Sequence, residues 1–155
     1  MTVDGDVVAV IGKGLVVLLG VAQDDSVELA RRLASKVARL RIFENDEGRF
    51  DRSLPEVHGD VLVVSQFTLI ADIRRGRRPF FGEAEIPERA RALCDHFSAT
   101  VRSTGIVVAT GTFGAMMQVE LCNDGPVTLV IDSADLESSR RDSHRGPTDD
   151  PSHAV

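Results

Sequence analysis

Two short runs hold the residues of this chain whose types and spacing could do chemistry. The first is Ser65-Gln66-Phe67-Thr68, where three hydrogen-bonding side chains interrupt a Val- and Leu-rich run that reads as a strand from Val61 to Ile70. Alternation along a strand puts Ser65 and Phe67 on one face and Gln66 and Thr68 on the other. Such a run can floor a pocket, with Gln66, Thr68 and main-chain N–H groups aimed at a substrate carbonyl. It can also be a strand end whose polar groups satisfy neighbouring backbone, and on spacing alone that is the commoner outcome. The second run is Asn123-Asp124-Gly125-Pro126-Val127-Thr128. Asn-Asp-Gly is turn chemistry and Pro126 cannot donate to a ladder, so a plain hairpin connection is its ordinary reading. Proline also forms nearly all cis peptides, yet only about 5–6% of X–Pro bonds adopt that form. Spacing does not assign Gly125–Pro126.

Few other chemistries have the residues they need. Of four histidines, His144 and His153 fall in a polar C-terminal stretch, leaving His58 and His96, too few for a zinc site or a Ser-His-Asp relay. No metal and no cofactor is expected. Cys94 and Cys122 lie far apart without a Cys-x-x-Cys pattern and read as free thiols. The net charge of −6 argues against a protein that coats nucleic acid without specificity. Arg74, Arg75, Arg77 and Arg78 nevertheless cluster around Gly76, as either a solvated loop or a phosphate-gripping patch.

The elements that must position these residues follow from hydrophobic periodicity. Val7–Ile11 reads as a strand, then Gly12-Lys13-Gly14 as a turn into the nearly continuous apolar strand 15–21, of the kind covered on both faces. Asp24-Asp25-Ser26 offers an N-cap for a helix whose apolar stripe is Val27, Ala30, Leu33, Ala34, Val37 and Leu40, with Arg31, Arg32 and Lys36 on its other faces. Arg41-Ile42-Phe43 is a short strand. After Val61–Ile70, Pro87 opens a second helix with the stripe Ala90, Leu93, Cys94, Phe97 and Val101, off which His96 falls. Ile106–Ala109, Met116–Cys122 and Val127–Ile131 close the set. The order strand, loop, helix, strand thus occurs twice, which gives the α/β class: two strand-helix-strand units in one mixed sheet. Residues 1–132 form the domain. Residues 133–155 carry five acids and three arginines with almost nothing to bury and read as a disordered polar tail. No apolar run reaches the roughly 18 residues of a membrane span. The N-terminus shows no secretory pattern, so a cytoplasmic location is expected.

Together, Val61 to Leu69, Met117-Gln118-Val119 and Asn123 to Thr128 resemble the D-aminoacyl-tRNA deacylase family. Arg75-Gly76-Arg77-Arg78-Pro79 and Gly14 to Val21 fit the same pattern, and the resemblance runs from about Thr2 to Ile131. It implies a barrel-like mixed sheet with helices packed outside, in a homodimer whose active sites lie at the subunit interface. It implies that Gly125–Pro126 is cis and reaches into the partner's pocket, with Asn123 and Thr128 beside it, so that rigid backbone excludes an L side chain. The candidate catalytic set is then Ser65, Gln66, Phe67 and Thr68. An aminoacyl ester is already activated, so the backbone N–H groups of Phe67 and Thr68 can act by oxyanion stabilisation, with Gln66 orienting substrate. Thr68 as nucleophile is the rival assignment, weakened by the lack of a nearby histidine or lysine. Arg74, Arg75, Arg77 and Arg78 become candidate contacts to the acceptor end of a D-aminoacyl-tRNA. The implied reaction releases free D-amino acid and tRNA, and clears glycine mischarged on tRNA-Ala.

Two departures stand out. Family members begin with a strand containing Gln-Arg-Val a dozen or so residues before the position matching Thr2. The N-terminal strand is therefore expected to be truncated, through a start codon assigned too late. Phe80 stands where the family commonly has Ser after Arg-Pro. The alternatives are a truncated, catalytically impaired tRNA-binding dimer and a sibling deacylase acting on L-Ala- or Gly-mischarged tRNA.

Overall fold

The computed structural model describes residues 1–74, 76–125 and 127–136. Its centre is a parallel sheet of β3 (Gly14–Leu19), β6 (Asp60–Ser65) and β7 (Val108–Thr110), in the order β3-β6-β7. The β3–β6 register runs from Gly14 opposite Asp60 to Leu19 opposite Ser65. A Cβ on Gly14 would sit 1.9 Å from the carbonyl oxygen of Asp60, so only glycine lets the two strands meet at that end.

Each parallel crossover carries a helix, as a parallel connection demands. Helix α1 (Val27–Ala38) lies between β3 and β6, and α2 (Pro87–Arg102) between β6 and β7. Ser26 caps α1 by accepting a 3.2 Å bond from the Leu29 amide, and Pro87 opens α2 where its missing N–H is harmless. Ala34, Val37 and Ala38 of α1 and Leu93, Cys94, Phe97 and Val101 of α2 close over Val61 and Val63. Leu62 and Val64 point the other way, into a second core with Ala9, Val16, Ala109, Met117 and Val119. That side is covered by an antiparallel sheet ordered β2-β1-β8, made of β1 (Thr2–Val3), β2 (Asp6–Val7) and β8 (Met117–Gln118). β6 is therefore buried on both faces, which its unbroken Val-Leu-Val-Val run requires.

The structure is a mixed α/β fold, and it departs from the sequence expectations in local ways. The two units differ: β7 returns beside β6, whereas β4 (Phe43–Glu44) leaves the sheet to pair with β5 (Phe50–Arg52). The expected strand 7–11 stops at Val7, because the amides of Val8 and Ala9 both turn back to the carbonyl of Met1. The expected strand 116–122 is reduced to Met117–Gln118, and 127–131 makes no ladder among the described residues. Ser133–Leu136, expected as the start of a disordered tail, forms a 3-10 turn beside α1. The rest of the expected tail, 137–155, lies outside the described residues. Among the described residues, no helix is long and apolar enough to cross a membrane.

Candidate functional site

The run Ser65-Gln66-Phe67-Thr68 is not one strand. β6 ends at Ser65 and the chain turns into a 3-10 helix, Phe67–Ile70, which corrects both the expected strand 61–70 and its alternating faces. The physical reason lies in the neighbour. The Gln66 amide donates to Leu19 at 2.8 Å, the last bond of the β3–β6 ladder, and beyond it β3 has no residue left to pair. A Cβ on Gly20 would lie 3.0 Å from Leu69 Cβ and 3.3 Å from the Gln66 carbonyl, so Gly20 gives the turn room to fold against the strand end.

This turn leaves two donors free. The first amides of a helix have no partner within it, and those of Phe67 and Thr68 donate to no acceptor among the described residues. They sit beyond the carboxyl ends of the parallel strands, where open α/β sheets place their ligands. The Gln66 amide nitrogen Nε2 donates to Thr68 Oγ1, so that hydroxyl is held as an acceptor. Phe67 is exposed, and its ring meets Phe81 edge-on at 5.1 Å. Phe81 belongs to a strap tied across the end of β3: Glu85 N donates to Val21 O and Gln23 N to Glu83 O, both at 3.0 Å, and Gln23 Nε2 donates to Gly82 O at 2.6 Å. Gly20 and Phe81 were not singled out in the sequence as site residues. Gly20 stood only inside an apolar run, and no pattern marked Phe81.

The second run is held far more loosely. Asn123 Nδ2 donates to Thr128 Oγ1 at 3.0 Å, closing the turn, and both residues are exposed. Gly125 has φ +132°, a conformation glycine reaches at little cost. Pro126, and with it the expected cis Gly125–Pro126 peptide, lies outside the described residues. One cavity of about 540 Å3 adjoins both runs, lined by Leu69 and Ile70 just beyond the first and by Val127 within the second. None of Ser65, Gln66, Phe67, Thr68, Asn123, Gly125 or Thr128 lines it. This cavity lies beside the candidate chemistry, between β3, α1 and the C-terminal segment.

The arginine loop is also resolved into unequal parts. Asp72 and Phe80 close its base with reciprocal backbone bonds of 2.7 and 2.9 Å. Arg74 is turned back on Asp72, donating Nε to Oδ1 at 2.9 Å and Nη2 to Oδ2 at 2.7 Å. These bonds hold the Asp72 carboxyl down at about 2 and raise the Arg74 guanidinium. Arg77 and Arg78 are exposed, and Arg75 lies outside the described residues. The Phe80 ring covers Gly82, where a Cβ would come within 2.1 Å of it. Burial pushes the Cys94 thiol up to about 11, which leaves it inert at neutral pH, while Cys122 is exposed. Among the described residues, no three His, Cys, Asp or Glu side chains converge on a metal position.

The family model described as D-Tyr-tRNA(Tyr) deacylase matches residues 1–132. The chain belongs to that family. It is 58% identical to the D-aminoacyl-tRNA deacylase of Chloroflexus aurantiacus over 94% of this chain and 91% of that protein. It is 55% identical to the D-aminoacyl-tRNA deacylase of a Roseiflexus species over 90% of each. A solved structure described as a c-Myc DNA unwinding element binding protein superposes with a TM-score of 0.77 at 36% identity, covering 83% of this chain and 87% of that one. The family's fold is thus the one seen here, with Ser65–Thr68 at the end of its central strand.

Proposed function

We propose that this protein hydrolyses the ester bond of D-aminoacyl-tRNA, releasing D-amino acid and free tRNA, and that the Phe67 and Thr68 amides stabilise the oxyanion. The observation that carries the reading is this pair of unengaged amides, fixed by the Gln66–Leu19 bond at the mouth of the parallel sheet. Curated relatives above 50% identity bear that activity as their name. One donor aimed at the developing oxyanion is worth about 10²–10³ in rate. Gln66 orients the substrate, and the Thr68 hydroxyl, already accepting from Gln66, is not the nucleophile.

The second motif acts in trans. Among the described residues, Asn123–Thr128 is held by no hydrogen bond other than the Asn123–Thr128 one, and large apolar side chains around it are bare: Leu121, Leu129 and Val130 are 60%, 53% and 98% exposed. A homodimer that buries this segment against its partner, completes the barrel-like sheet and presents Gly125–Pro126 to the partner's Ser65–Thr68 accounts for both features. Arg77 and Arg78 then face the acceptor end of the tRNA.

Deacylation of tRNA charged with D-Tyr, L-Ala and Gly, run side by side, tests the reading. The expected order is rapid release of D-Tyr, measurable release of Gly and none of L-Ala. Thr68→Val should retain near wild-type rate on D-Tyr-tRNA. Complete loss with the fold intact would make Thr68 the nucleophile and sink the oxyanion assignment.

A further inference from the structure

We propose that the outward face of α1 is a second RNA contact, gripping the phosphodiester backbone of the tRNA away from its charged end. This rests on the reading of the substrate as an aminoacyl-tRNA. The face carries Arg31, Arg32, Lys36 and Arg39, continued by Arg41, around a concavity of about 640 Å3 whose lining includes a single carboxylate, Glu28. In a chain of net charge −6 this is a marked local excess of positive charge.

Three of these five cations are not spent on the fold. Arg41 pairs with Asp51 at 2.9 Å and Arg32 donates to the Leu136 carbonyl, but the side chains of Arg31, Lys36 and Arg39 have no partner among the described residues. The contrast with Arg74, forked onto Asp72, is direct. Helical spacing also sets Arg32 beside Lys36 and Lys36 beside Arg39, where like charges repel. Among the described residues, no carboxylate forms an ion pair with Arg31, Arg32, Lys36 or Arg39, Glu28 included. A polyanion would relieve that repulsion.

Placement fits as well. Helix α1 starts just after Ala22 and Asp25, at the strapped end of β3 beside the candidate site, and runs away from it for 12 residues, about 18 Å. A substrate whose charged end is held at Ser65–Thr68 can extend its backbone along this face. Contacts of this kind carry register and affinity rather than sequence.

The test uses the full chain with Arg31→Gln, Lys36→Gln and Arg39→Gln combined, and a control with Arg31→Lys and Arg39→Lys. Binding of uncharged tRNA is measured from 50 to 200 mM KCl. Each phosphate contact adds about 0.7–0.9 to the slope of log affinity on log salt, so with three contacts removed wild type should lose about 20- to 40-fold more affinity over this range than the triple variant. On D-Tyr-tRNA the triple variant should show a raised KM with kcat kept. On the D-Tyr ester of adenosine it should equal wild type, and the lysine control should behave as wild type throughout. An unchanged salt slope and KM in the triple variant would overturn the proposal, as would equal loss in the lysine control. A wild-type chain that binds tRNA but leaves D-Tyr-tRNA intact refutes the catalytic reading alone, because the salt slope still decides the α1 face.

Discussion

The two motifs of this protein are held in opposite ways. Ser65–Thr68 is welded to the centre of the molecule: β6 is buried on both faces, Gln66 is bonded to Leu19, and Gly20 seats the 3-10 turn. Asn123–Thr128 is tied by one exposed side-chain bond and sits in a segment that pairs with no strand among the described residues. The lesson concerns division of labour. Groups that must not move during chemistry belong on a rigid element. A segment that its own subunit leaves loose is free to be set by a neighbour.

The comparison can be broken from its anchored side first. Phe97 is fully buried under Val61 and Val63, so Phe97→Ala should lower the unfolding free energy by about 3–5 kcal/mol in urea denaturation. A loss below about 1 kcal/mol would show that β6 is not clamped as described. A gentler change is Gly20→Ala, whose added methyl meets Leu69 at 3.0 Å and pushes on the turn. A displacement near 1 Å at the Phe67 and Thr68 amides should cost about 10²-fold in deacylation rate with the protein still folded.

Mixing subunits sharpens the comparison. Gly20→Ala damages the first motif and Gly125→Ala, at φ +132°, the second. If each site joins the first motif of one subunit to the second of the other, an equal mixture of the two impaired proteins should regain about one quarter of wild-type activity, because half the dimers then hold one intact site of two. Sites built within one subunit would regain nothing. Smaller still, Asn123→Ala should change stability by less than about 0.5 kcal/mol, since it removes one exposed bond.

The smallest effect is electrostatic. The Arg74 fork lowers the Asp72 carboxyl to about 2 from the ordinary 3.8, so the stabilisation it gives is fully present above the unfolded value and lost as pH falls through about 2. The carboxyl carbon of Asp72 should titrate near 2 by NMR, and Arg74→Gln should bring that midpoint back toward 3.8. An unshifted midpoint in the wild type would show that the fork does not persist in solution.

The sequence made the helices plain, because Val27 to Val37 and Leu93 to Val101 repeat at helical spacing behind Ser26 and Pro87. It marked both motifs through their order and the resemblance they carry. It hid the break at Ser65, since Phe67-Thr68-Leu69-Ile70 has the same composition in a strand as in a 3-10 turn. What decides is where β3 runs out, a fact about another segment. β1 and β2, two residues each, are too short to show a period. The sequence set Arg31, Arg32 and Lys36 off the apolar stripe of α1 without showing how they pair, because ion pairing depends on which carboxylates the fold brings near, and among the described residues it brings few.

β6 also sets a clock. Leu62, Val63 and Val64 lie in a strand paired on both edges, and their amides should exchange with deuterium only when the whole molecule opens. The amides of Phe67 and Thr68, a few residues on, donate to no acceptor among the described residues and should exchange almost at once. The slowest and fastest hydrogens of the domain would thus stand side by side, and slowing of the fast pair by a bound analogue would report occupancy of the site without any measurement of turnover.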